Sequence, residues 1–258
     1  MEENTNTTPP AQNPVPKKEG LTLPVAIVIA AFLIAIALIV VFLPRANNTQ
    51  QEVSLDDYVE QVLDSKKPLV AAPVTADDHI RGAATAAVTI IEYSDLECPY
   101  CQVFHETMQQ VMTNYADKVR WVYRHMPLDC ADNDSPNCTP LHPSARAAAL
   151  AAECVAVQKG DDGFWAFTDD VFGNGNAVAP AQLTAAAERA GVTMPTYNSC
   201  VTAQTYLEKI GAQSKDAIKI GARGTPYVLI VDTDGNSYTM EGAYPYEVVS
   251  KVLDKVIK

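Results

Sequence analysis

The stretch Ile91-Glu92-Tyr93-Ser94-Asp95-Leu96-Glu97-Cys98-Pro99-Tyr100-Cys101 decides how the rest of the chain is read. An apolar run from Ala87 to Tyr93 leads into it, β-branched and continuous as in a buried strand. Val103, Phe104, Met108 and Val111 follow at helical spacing. Two cysteines spaced C-x-x-C at a strand-to-helix junction can close a disulfide across the first helical turn. The helix N-terminus carries partial positive charge and free N–H groups, and both stabilise a thiolate. Cys98 is therefore the expected nucleophile, and Cys101, nearer the helix interior, the resolving thiol. This is the physical basis of dithiol–disulfide exchange. Pro99 suits the first helical position, where its missing N–H is not needed.

Outward from this stretch, strands alternate with helices. A helix is expected over residues 101–117 and a parallel strand over Val119–Arg124. Pro127 to Pro143 is irregular. An Ala-rich helix runs from Ser144 to about Gln158, and further helices lie around Trp165–Phe172, over Pro180–Ala190 and beyond Pro195. Strand pattern returns at Tyr227–Asp232, Asp234-Gly235 signals a hairpin turn, and Ser237–Met240 completes it. A last helix spans Pro245 to Ile257. The expected fold class is α/β: a sheet interrupted by an all-helical insertion over about 142–220.

Upstream, residues 1–20 are polar, rich in Thr, Asn and Pro, and read as a disordered tail. Leu21 to Leu43 is a 23-residue apolar stretch, long enough to span a bilayer. A signal peptide would have an apolar core of about 7–15 residues, so the expectation is an uncleaved transmembrane anchor. Lys17 and Lys18 before the span against Arg45 after it favour a cytoplasmic N-terminus and an extracytoplasmic main domain. Residues 44–80 read as a linker carrying a short amphipathic helix. Leu55, Val59, Val62 and Leu63 share a face behind a weak Ser54-x-x-Asp57 capping box. That face could meet the chain's own domain, a partner or the membrane surface.

The formal net charge is −12 over 258 residues. Residues 1–50 hold three basic and three acidic side chains, so the whole excess lies in residues 51–258. An acidic surface argues against nucleic acid as a partner. Zinc would want a second C-x-x-C or a histidine pair. His79, His105, His125 and His142 show no ligand spacing, so no metal is expected. Trp121 and Trp165 are expected in the core.

Taken together, the strand, the Cys98-Pro99-Tyr100-Cys101 turn and a downstream Gly224-Thr225-Pro226-Tyr227 before a strand resemble the thioredoxin superfamily. Within it they resemble the DsbA-like branch, over roughly residues 81–258. The resemblance implies a thioredoxin-like fold and a protein thiol–disulfide oxidoreductase needing no cofactor. It implies a cis bond before Pro226 and a substrate strand pairing with the backbone of Thr225, with Pro99 and Tyr100 also facing substrate. It implies that Glu92 is a buried carboxylate moving protons to and from Cys101. The best-known relatives carry His where this chain has Tyr100, so Cys98 should be less acidic and the couple less oxidising. Four cysteines remain, with three possible pairings. The resemblance implies Cys154–Cys200 within the insertion. Cys130 and Cys138 would then close a small local loop, either structural or a second redox pair. Implied partners are cysteine-containing protein substrates and a membrane redox partner, DsbB-like or vitamin-K-epoxide-reductase-like. Oxidase action is expected. A reductase or isomerase, or a non-catalytic binding or metal-carrier module, stands as the alternative.

Overall fold

The fold is taken from a computed structural model, which describes residues 54–132 and 139–257. Its sheet has six strands: β1 (Lys67–Pro68), β2 (His79–Gly82), β3 (Val88–Ser94), β4 (Val119–His125), β5 (Tyr227–Val231) and β6 (Asn236–Glu241). Their order is β1-β6-β5-β3-β4-β2. β3 and β4 are parallel, with Glu92 opposite Tyr123 and Ser94 opposite His125. The other pairings are antiparallel. The parallel pair is joined through α2 (Pro99–Asn114), the helix that opens on the C-x-x-C turn. In the β5–β6 turn the Asp232 carboxylate accepts from the N–H groups of Asp234 and Asn236, at 2.9 Å each.

Side-chain alternation sorts the central strands onto two faces. One face, with Ile90, Trp121, Tyr123, Val228 and Ile230, packs with Phe104 and Met108 of α2 into the larger core. Burying a side chain such as Phe104 or Met108 stabilises by roughly 2–3 kcal/mol. The opposite face, with Ile91, Tyr93, Val122 and Leu229, lies with Ala217 of α6 (Leu207–Lys219). The remaining helices are α1 (Leu55–Asp64), α3 (Ala145–Gly173), α4 (Pro180–Arg189), α5 (Met194–Ala203) and α7 (Tyr246–Val256). α3 holds the two helices expected around Gln158 and Trp165, joined across a kink. It is broken at Gly160, whose φ of 65° and ψ of −157° are open to glycine.

The segment read as a linker is built into the domain from Ser54 onward. Ser54 and Asp57 make the reciprocal capping box, at 3.1 and 2.8 Å. Val59 and Val62 are buried in the larger core, and Tyr58 meets Tyr244 edge-on at 5.7 Å. Of the three surfaces open to this helix, it takes its own domain. β1 then covers the edge of β6, and β2 closes the far edge against β4. Neither strand is long enough to show a period, and Pro68 argues against one. Gly82 passes so close to β4 that a Cβ would sit 2.7 Å from the Val119 carbonyl oxygen.

The expected tail and the apolar span Leu21–Leu43 lie outside the described residues. Among the described residues no helix is long and apolar enough to cross a membrane.

Candidate active site

Cys98 is the N-cap of α2, with extended backbone (φ −78°, ψ 122°) and Pro99 next in the helix. Its N–H donates to the Asp95 carbonyl at 3.0 Å, and its carbonyl accepts from Gln102 N–H at 3.2 Å. The Cys98 thiol lies 3.4 Å from the Thr225 carbonyl oxygen. The Thr225–Pro226 bond is cis. Cys101 is wholly buried, its sulfur 3.4 Å from the Asp95 N–H. Both are free thiols.

The two sulfurs differ sharply in acidity. The Cys98 thiol is lowered from 9.0 to about 5: the Cys101 thiol bonds to its thiolate, as do Thr225 and the N–H groups of Cys101 and Tyr100. Burial, and the neighbouring Cys98, push the Cys101 thiol well above the usual range. One nucleophilic and one silent sulfur is the division of labour that exchange needs. Tyr100 is 66% exposed and Val103 also stands in solvent, so an apolar rim faces outward beside the cysteines.

Glu92 lies on β3 beneath the turn and is fully buried. Its Oε2 accepts from the Trp121 indole N–H at 2.9 Å. Burial raises its carboxyl to about 7, against the lowering effect of Ser94 and Trp121. A carboxyl so placed is half ionised near neutral pH, which suits a proton carrier.

The other cysteines lie away from this turn. Cys154 on α3 and Cys200 on α5 form a disulfide, with Cα atoms 5.8 Å apart. Cys130 is disulfide-bonded too. Cys138 lies outside the described residues. Among the described residues no group of three or more His, Cys, Asp or Glu could hold a metal ion. His79 and His125 converge on Glu153, at 3.1 and 3.3 Å. His105 is buried one turn beyond Cys101, with Nε2 2.7 Å from Asp169, and burial lowers its pKa. Trp121 and Trp165 are core residues, as expected.

Several residues that shape the site have no role assigned in the sequence reading. Asn176, in the left-handed region at φ 58°, donates its amide to the carbonyls of Leu96 and Cys98, at 3.0 and 2.9 Å. The buried Asp95 carboxylate takes the Leu128 N–H at 2.9 Å and His142 Nδ1 at 2.8 Å. Glu97 accepts from the Ser144 N–H at 2.7 Å. The loop before Cys98 is thus held by the insertion and by the segment leading into it. Asn in a Gly-Asn-Gly-Asn turn signals positive φ, but nothing in sequence says that its amide reaches a loop 78 positions earlier.

Comparison with known proteins agrees with this geometry. The family described as Thioredoxin matches residues 74–255. The Na(+)/H(+) antiporter NhaA 3 of Salinispora tropica is 33% identical over 180 residues, 69% of this chain. This chain spans about a quarter of the length of the curated relatives it matches, so the shared module is one part of a longer polypeptide there. Among solved structures, oxidised BdbD of Bacillus subtilis shares 19% identity at a TM-score of 0.60, covering 73% of this chain and 97% of its own. The alpha-DsbA1 of Wolbachia pipientis shares 22% at 0.59, covering 71% and 92%. These likenesses are of fold: a thioredoxin-like sheet with a helical insertion, as in DsbA-like thiol–disulfide oxidoreductases. By its strands, its C-x-x-C turn and the family match over most of its length, the chain belongs to the thioredoxin family.

Proposed function

We propose that this chain is a membrane-anchored thiol–disulfide oxidoreductase that works outside the cytoplasm and acts as an oxidase. The Cys98–Cys101 disulfide passes to cysteine-containing secreted or membrane proteins and is restored by a membrane partner of DsbB-like or vitamin-K-epoxide-reductase-like type. The observation that carries the reading is the Cys98 thiol, held at about 5 at a helix N-terminus opposite Thr225 and cis Pro226. A stabilised thiolate favours the reduced protein, and a protein that prefers to be reduced gives its disulfide away. Tyr100 supplies no positive charge, so the helix N-terminus and the neighbouring thiol carry that stabilisation. Thr225 and the exposed Tyr100 rim would hold an extended substrate segment. Glu92 would exchange the proton of Cys101. Cys154–Cys200, and Cys130 with Cys138, would be structural. The apolar stretch Leu21–Leu43 supports the anchor, and the occurrence of related modules in chains named antiporters supports a membrane setting.

The test is the equilibrium reduction potential of the full chain in detergent against glutathione. A value above about −150 mV, towards the roughly −120 mV of DsbA, is expected. A value near the roughly −270 mV of thioredoxin would replace the oxidase with a reductase.

A further inference from the structure

We propose that the Ser94 hydroxyl relays the proton between Cys101 and Glu92 during disulfide exchange. The inference rests on the exchange reading above and adds a residue to it. Glu92 and Ser94 are two apart on β3 and therefore point to the same face. Tyr123 stands opposite Glu92 on the parallel neighbour, on that same face. α2 covers this face with Cys101 in its first turn. Three oxygens gather here, and each is buried with no close hydrogen-bond partner among the described residues: Glu92 Oε1, Ser94 Oγ and Tyr123 OH. Buried polar atoms without partners are uncommon and ask for an explanation.

Their roles follow from chemistry. The Trp121 indole holds Glu92 Oε2 at 2.9 Å, and Oε1 is the carboxyl oxygen without a hydrogen-bond partner among the described residues. The Asp95 N–H holds the Cys101 sulfur at 3.4 Å, and Glu92 lies two residues before Ser94 on the same face, so Ser94 stands between the residue that carries the carboxyl and the one that binds the sulfur. A hydroxyl gives one proton and accepts another at the same time, and it rotates to suit. Tyr123 is level with Glu92 on β4 while Ser94 is level with His125, so Tyr123 starts a step further from the Asp95 N–H that holds the sulfur. Ser94 is therefore the hydroxyl placed to pass a proton between carboxyl and sulfur. Titratable groups facing this pocket are Cys98 and Cys101 from α2, Tyr123 from β4, and Asp95 just beyond β3.

In the oxidising direction a substrate thiolate attacks Cys98 Sγ. The Cys98–Cys101 bond breaks and its electron pair goes to Cys101 Sγ. The Ser94 hydroxyl proton moves to that sulfur while the Glu92 carboxyl proton moves to Ser94 Oγ. The products are a mixed disulfide on Cys98, a neutral Cys101 thiol and a Glu92 carboxylate. The substrate is oxidised and the protein disulfide reduced. The reverse path resolves the mixed disulfide.

The test follows the reduction of the full chain's disulfide by dithiothreitol in stopped flow, read by tryptophan fluorescence from pH 5 to 9. After correction for the dithiol's own ionisation, the wild type should show an inflection near pH 7. Ser94→Ala should abolish it and slow the reaction at pH 6 by about tenfold to a hundredfold, within the range general acid–base catalysis supplies. Glu92→Gln should do the same, and the double variant should be no slower than either, because both act in one relay. Alkylation of Cys98 should keep its midpoint near pH 5 in Ser94→Ala, which a general disturbance of the turn would not allow. An active wild type with a Ser94→Ala variant that retains rate and inflection would overturn the relay alone, as would losses that multiply in the double variant. A wild-type disulfide inert to the dithiol would overturn the exchange reading, and the relay with it.

Discussion

The low pKa of Cys98 makes the stability of the reduced protein depend on pH, by an amount that can be worked out. The thiol falls from 9.0 to about 5 in the folded chain. A group whose folded value is depressed stabilises the fold above its unfolded value, and that contribution is lost as pH falls through the folded value. The window therefore runs from about pH 9 down to about pH 5. At about 1.4 kcal/mol per unit, two units separate pH 7 from the folded value, so Cys98 contributes about 3 kcal/mol at neutral pH. No discount for solvent screening is due, because Cys98 is 3% exposed. The perturbation is Cys98→Ala in the reduced state, and the assay is urea unfolding of both proteins at intervals from pH 4 to 8. Groups remote from Cys98 cancel in the difference, and loss of the Cys98 charge lowers the Glu92 carboxyl only as the smallest of its causes. The wild type should gain about 3 kcal/mol over the variant between pH 4 and 7. The oxidised protein has no Cys98 thiol and should show no such gain, so the same term drives disulfide donation. A wild-type minus Cys98→Ala difference that stays flat across this range would refute the thiolate argument.

Four further outcomes follow from particular contacts. Trp121→Phe removes the indole bond that lowers the Glu92 carboxyl, so the inflection near pH 7 in the exchange rate should move to higher pH. Asn176→Ala deletes two bonds to the loop before Cys98 and should cost about 1–3 kcal/mol in urea unfolding. Asn176→Gly keeps the positive φ, so an equal loss there would assign the effect to the bonds and a wild-type value would deny it. Replacing both Cys154 and Cys200 by Ala opens a loop of sequence separation 46; the chain-entropy relation gives a loss of about 4 kcal/mol, with Cys98 alkylation unchanged. Val62→Ala empties part of the contact of α1 with the larger core and should cost about 2 kcal/mol, measured as a lower urea midpoint at unchanged slope.

Legibility in the sequence followed the distance over which each feature is encoded. The strand Val88–Ser94, the turn and α2 are written in one contiguous run, and each step has a local cause: β-branching, a proline at the first helical position, apolar spacing of three and four. The hairpin at Asp234-Gly235 is local in the same way. β1 and β2 were missed because two and four residues carry no period, and their pairing is set by partners 170 and about 40 positions away. The two helices within α3 are legible locally, because Gly160 interrupts the backbone between them.

The site divides along the same line, with a consequence for how it works. The groups proposed to perform the chemistry, Cys98, Cys101 and Glu92, come from ten consecutive residues and share one strand and one helix turn. The groups that hold that stretch in place come from elsewhere: Asn176 beyond the end of α3, His142 and Ser144 before its start. A short loop ending in an extended N-cap has, within its own stretch, the Gln102 N–H for the Cys98 carbonyl but no partner among the described residues for the Leu96 carbonyl. The insertion supplies one, and supplies N–H or imidazole partners to the acidic side chains Asp95 and Glu97. Removing it would leave the cysteines on their helix but free the loop that carries the Cys98 backbone. The helical block therefore belongs to the active site as much as to the fold.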